Sequence, residues 1–105
     1  MKRRLGFGAK GEAEAVAIVQ ADALNAALPT LLVVPLDSAV GLHAGNPLAI
    51  AVSAREAGSH AEHVALPIQL RAIRADALSP GAVGRLKPAT MSALEAALRL
   101  VLDLA

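Results

Sequence analysis

Two acidic residues, Glu14 and Asp37, bracket the most apolar part of this 105-residue chain. Brought together, two such carboxylates could share a proton and do general acid–base work. Three histidines add imidazoles: His43 stands apart, while His60 and His63 are three residues apart. On a helix that spacing would suggest a metal pair. Here it falls in a loop entering a strand, where side chains three apart point to opposite faces, so the pattern reads as surface histidines and no metal site. Ser79, Ser92 and the threonines have no recognisable nucleophile context. The chain has no cysteine, which excludes disulfides and thiolate zinc sites.

The basic residues fall in two groups, Lys2, Arg3, Arg4 and Lys10 at the start and Arg71, Arg74, Arg85 and Lys87 later. The net charge is only +1, which is not the basic footprint of a dedicated nucleic-acid binder. The first group reads as a solvated tail.

The elements that must position these groups follow from the apolar pattern. Residues 1–13 are rich in glycine and charge and read as a flexible arm. Residues 16–20 and 30–36 form β-branched apolar runs that predict two largely buried strands. Pro35 places the second at an edge or beside a bulge. Between them Asp22 could cap a short helix through Ala27, which Pro29 ends. Residues 40–47 contain Gly41, Gly45 and Asn46 and predict a loop. Leu48, Ile50 and Val52 give a third strand, residues 53–62 a polar connection, and residues 63–73 one bent strand or two short ones around Pro67. Ser79-Pro80-Gly81 is a turn. Pro88 then opens a terminal helix whose Met91, Leu94, Leu98 and Val101, backed by Leu102 and Leu104, make one broad apolar face for core or interface.

The pattern is one domain, residues 1–105, of class α+β and mainly β. Hydrophobic residues make up 55% of it, nearly all small aliphatics, with Phe7 as the one aromatic. Such a core buries little area per side chain, so a homodimer would help stabilise it. No run approaches the ~20 apolar residues of a membrane helix, and the basic start lacks the apolar stretch of a signal peptide. A cytoplasmic location without membrane contact is the expectation.

Three segments carry a resemblance. Residues 14–38, EAVAIVQADALNAALPTLLVVPLDS, follow a pattern R-P-x-x-V-V-Q-x-D, a connection, then T-x-x-V-x-P-L-T-S. Residues 63–73, HVALPIQLRAI, follow S-V-x-L-x-x-Q-x-R-x-I with Gln69, Arg71 and Ile73 in place. Gly84, Leu86, Pro88 and Met91 follow G-x-L-s-P-x-x-M ahead of an aliphatic helix. In this order the segments resemble the MazF/PemK (Kid) toxin family.

The resemblance implies a small SH3-like barrel with a C-terminal helix, the CcdB/PemK-like toxin fold. It further implies the toxin of a type II toxin–antitoxin module. Such a toxin is a homodimer that binds a cognate antitoxin and cleaves single-stranded RNA without metal or cofactor, the 2′-hydroxyl attacking the adjacent phosphate. It places the catalytic region at Glu14, Asp37 and Ser38, and RNA contacts at Lys10, Gln69 and Arg71. Glu14 and Asp37 stand where the family has Arg and Thr. A guanidinium aimed at the phosphoryl oxygens would stabilise the charge that builds there, and a carboxylate opposes it. The family activity is therefore expected to be attenuated or lost. The alternatives are an inactive homologue that binds an antitoxin or regulates, and a CcdB-type gyrase-inhibiting toxin, whose aromatic C-terminal ending this chain lacks.

Overall fold

The computed structural model describes residues 4–7, 15–78 and 84–104. Among them six strands, β1 (Arg4–Phe7), β2 (Ala15–Ile18), β3 (Thr30–Asp37), β4 (Ile50–Val52), β5 (His63–Ala65) and β6 (Arg71–Arg74), form an antiparallel sheet. Their order is β1-β2-β3-β5-β4, with β6 also on β3. Helices α1 (Asp22–Ala27), α2 (Ala54–Ala57) and α3 (Pro88–Val101) complete it. The expected mainly β domain with a closing helix is the architecture found. Among the described residues the sheet stays open instead of closing into a barrel.

The two apolar runs are the two central strands. All four residues of β2 are buried, and β3 is buried from Val33 to Leu36. Val34 and Leu36 join Ala15, Ala17, Val19, Val52 and Ala65 under Met91, Leu94 and Leu98 of α3. Val16, Ile18, Leu31 and Val33 form a second cluster on the opposite face, with Ile73 and Leu78 against it. Burial on both faces is why these strands read as continuous apolar runs and not as alternating ones.

Pro35 does not mark an edge, because β3 has neighbours on both sides. The irregularity it predicts lies in the partner strand. Leu66 N–H donates to the Pro35 carbonyl at 3.0 Å, so the missing Pro35 N–H faces that same side. There the partner leaves the ladder in a 3-10 turn, Pro67–Gln69. Seven residues from Ala65 to Arg71 thus run past the four from Leu36 to Val33. Residues 63–73 are therefore two short strands.

Gln20, 6% exposed, ties the β2–β3 connection together. Its amide Nε2 donates to Thr30 O (3.1 Å), and its Oε1 accepts from Leu32 N–H (3.3 Å), extending the ladder with a side chain. Gln20→Leu should lower stability by about 1–2 kcal/mol, because two part-buried backbone groups lose their partner. A shift of the urea midpoint at unchanged m-value would report it.

Two readings need correction. Arg4–Phe7, placed in a flexible arm, is a strand paired to β2 from Arg4↔Ile18 to Phe7↔Ala15. The polar connection after β4 contains α2, capped at Ser53. Of the face expected for core or interface, Leu102 and Leu104 lie outside the core, 50% and 61% exposed. The helix ends first, with Leu104 N–H donating to Arg99 O (2.8 Å) around Asp103 in the left-handed region (φ 56°), and this turn carries both off the face. Ala21 holds the N-cap position of α1, with Asp22 its first residue, and the helix stops before Pro29 as expected. The turn at 79–81 lies outside the described residues.

Candidate functional site

Asp37 is the last residue of β3 and pairs with Val64 of β5. Its carboxylate is fully engaged: Oδ1 accepts the Ala39 N–H at 2.9 Å, and Oδ2 lies 2.7 Å from His43 Nε2. The first bond is a tight local turn of the kind short acidic side chains favour. The second depends on the loop that follows. A 3-10 turn, Val40–His43, opens with Leu42 N–H on Ala39 O (3.1 Å). His43 O then accepts from Asn46 N–H (3.0 Å), and Asn46 Oδ1 accepts from Leu48 N–H (2.9 Å). This chain of turns folds the loop back so that the imidazole reaches the strand end.

The hydrogen bonds set the tautomers. A carboxylate only accepts, so the proton of neutral His43 sits on Nε2 and the lone pair on Nδ1. His63 Nδ1 is 3.0 Å from the Ala61 carbonyl, which likewise only accepts, so its lone pair is on Nε2. His63 neighbours Val64, the residue paired to Asp37. The Asp37 carboxyl is held below its ordinary value, first by the Ala39 N–H and then by the His43 hydrogen bond. The charges of His43 and His63 add to this, against a smaller opposing effect of burial. A carboxylate that stays ionised beside an imidazole with a free lone pair is a general-base arrangement.

The residues expected at the site are only partly brought together. Ser38 is exposed beside Asp37. Gln69 ends the Pro67–Gln69 turn, and Arg71 lies opposite Val33. That is four residues back along β3, roughly 13 Å by strand rise. Lys10 and Glu14 lie outside the described residues. His43, read as a surface histidine, is the residue missed. An Asp and a His six apart fall on different faces of a helix and stand roughly 20 Å apart along a strand, so only the loop's turns bring them together. Among the described residues no group of three or more His, Asp or Glu is fit to hold a metal ion, and no helix is long and apolar enough to cross a membrane.

A second polar assembly joins α2 to α3. Ser53 and Glu56 form a capping box: Ser53 Oγ accepts Glu56 N–H, and Glu56 Oε1 accepts Ser53 N–H (3.1 Å). Glu56 Oε2 also accepts the N–H of Lys87, the N-cap of α3, at 2.9 Å. The residue is 4% exposed. Burial is the largest influence on its carboxyl and pushes it up, but bonds from Lys87, Thr90 and Ser53 together outweigh it and hold it below the ordinary value. Gly84 lies against this junction so closely that a Cβ there would overlap the Glu56 carbonyl oxygen. Beside it opens a groove of about 520 Å³ lined by Ser53, Arg55, Glu56, Arg85 and Lys87.

No curated protein sequence matches the chain. Solved structures do match its fold. The Mycobacterium tuberculosis toxin MazF-mt6 is 21% identical over 98% of this chain and 99% of its own, with a TM-score of 0.83. The MazE-MazF complex from Deinococcus radiodurans gives 14% identity, 99% and 95% coverage and a TM-score of 0.83. An endoribonuclease in complex with its cognate antitoxin, from a mycobacterial species, gives 20%, 100% and 95%, and 0.75. The model of the PemK-like, MazF-like toxins of type II toxin–antitoxin systems matches residues 7–102, so the chain belongs to that family.

Proposed function

We propose that this protein is a toxin that cleaves single-stranded RNA in the cytoplasm, with His43 as general base and Asp37 positioning it. The observation that carries this is the 2.7 Å contact between them at the end of β3, the segment where the family pattern has its catalytic hydroxyl. His43 Nδ1 takes the proton of a 2′-hydroxyl as its oxygen bonds to the adjacent phosphorus. The bond to the 5′-oxygen breaks, and that oxygen takes a proton from solvent. The products are a cyclic phosphate and a 5′-hydroxyl end. Asp37 is a positioning residue that fixes the His43 tautomer and stabilises its charged form.

A homodimer held by a cognate antitoxin completes the proposal. The exposed Leu100 (71%), Leu102 and Leu104 at the end of α3 support that end as an interface. Incubation of the purified protein with a long single-stranded RNA, with mapping of 5′-hydroxyl ends, tests the activity. Discrete ends are expected. Their absence together with tight antitoxin binding would instead favour the non-enzymatic reading, to which the acidic Glu14 and Asp37 point.

A further inference from the structure

The proposed reaction needs a polyanion held against a site whose own charge is an ionised carboxylate. Asp37 cannot hold phosphate, and Arg74 is bonded to Asp76 through both Nε (3.1 Å) and a terminal nitrogen (2.8 Å). The described residues do place three cations around one opening: the groove beside the α2–α3 junction carries Arg55, Arg85 and Lys87. Its acid, Glu56, is turned inward, with its oxygens taken up by backbone N–H groups of Ser53 and Lys87 and by the Ser53 hydroxyl. Lys87 Nζ is 3.8 Å from Glu56 Oε1, too long for a strong bond, and its side chain is 65% exposed. The mouth therefore presents two guanidinium groups and an ammonium over a floor whose negative charge is already bonded.

The groove is on the same sheet as the proposed chemistry. Ser53 directly follows Val52, which pairs with His63, and Ala51 and Val64 stand in one row with Asp37. Two strand spacings, roughly 10 Å, separate that row's ends. Neither Asp37 nor His43 lines the groove. A short single-stranded segment with its reactive phosphate at Asp37–His43 can continue across β5 into it.

We propose that this groove is a phosphate-backbone subsite for single-stranded RNA, with Arg55, Arg85 and Lys87 contacting successive phosphates; this rests on the reading of the protein as an endoribonuclease. The lining favours RNA over an acidic peptide. Among the described residues it has no aromatic or large aliphatic side chain, and peptide docking draws most of its affinity from such anchors in desolvated pockets. Guanidinium and ammonium groups match phosphate oxygens directly. Without an aromatic to stack on, the subsite holds backbone and reads no base, so its contribution is indifferent to sequence.

The test is fluorescence anisotropy with a labelled 2′-O-methyl single-stranded RNA, which cannot undergo 2′-hydroxyl attack. Wild type is compared with Arg55→Gln/Arg85→Gln/Lys87→Gln over a salt series, and circular dichroism checks the fold. Three phosphate contacts contribute a salt slope of about −2, and the triple variant should lose it along with roughly tenfold or more in affinity at low salt. Should the triple variant not fold, Arg85→Gln and Lys87→Gln singly should each reduce the slope by about 0.7. Unchanged affinity and slope would overturn the proposal, as would loss of binding to a poly-glutamate peptide with RNA binding intact. If wild type cleaves RNA but the variants bind normally, the subsite alone is wrong. If the variants lose RNA while wild type never cleaves it, the enzymatic reading alone is wrong.

Discussion

His43→Gln is expected to lower RNA cleavage by about a hundred- to ten-thousand-fold, the usual worth of a positioned general base. Glutamine preserves the bulk and can still donate to the Asp37 carboxylate, so the loop at 40–49 should keep its turns. It removes the lone pair that takes the 2′-hydroxyl proton. Asp37→Asn should do less, since it leaves the imidazole in place while releasing its tautomer and its charge partner. That variant should lower kcat more than it raises KM, and it should alter the pH profile, which a purely structural residue would not. Because the Asp37 carboxyl is held below its ordinary value, it stays ionised well into the acid range. Single-turnover cleavage of a single-stranded RNA gives these numbers, and a His43→Gln protein as active as wild type would remove the dyad from the mechanism.

Glu56→Ala is expected to cost about 4 kcal/mol of stability, the sum of buried backbone donors at Ser53 and Lys87 losing a charged acceptor at about 1.5–3 kcal/mol each. Glu56→Gln retains one acceptor oxygen, and about half that loss is expected. Lys87 Nζ adds little, being long and mostly in water. The pH dependence has a definite sign. Folding holds the Glu56 carboxyl below its ordinary value of 4.5, so the unfolded chain binds the proton more readily. Its contribution is fully present above the ordinary value and is lost as pH falls through the lowered, folded one. Urea midpoints from neutral to acid pH should show wild type falling more steeply than Glu56→Gln below about pH 4.5. Parallel curves would show that the carboxylate carries no charge-dependent stability.

What the sequence disclosed depended on how local the governing forces are. β2, β3 and α3 were legible because burial imprints itself on consecutive residues: Val16 to Val19 and Val33 to Leu36 are buried without a break, and Met91, Leu94 and Leu98 recur at helical spacing. β1 was not. Arg4–Phe7 is short and carries a charge, and it is a strand only because β2 offers it a ladder. Four-residue α2 is too short for any periodicity, yet its capping box was written plainly in Ser53 and Glu56. The Asp37–His43 pair was hidden for a different reason, since a side-chain contact across successive turns leaves no repeat in the sequence. The family pattern groups Gln69 and Arg71 with Asp37, but after the Pro67–Gln69 turn Arg71 pairs with Val33, further back along β3.

Asp37 is the last residue of β3, and His43 the last of the 3-10 turn beyond it; neither belongs to the two apolar clusters. The side chains that hold the sheet together therefore stop just before those that would do chemistry. For a lineage of such proteins this is a licence to vary. Exchanging a hydroxyl for a carboxylate at the strand end, or recruiting a histidine from the adjoining loop, alters reactivity while leaving the heritable framework intact. Selection can discard one catalytic solution and try another on the same frame, without the frame first having to be rebuilt.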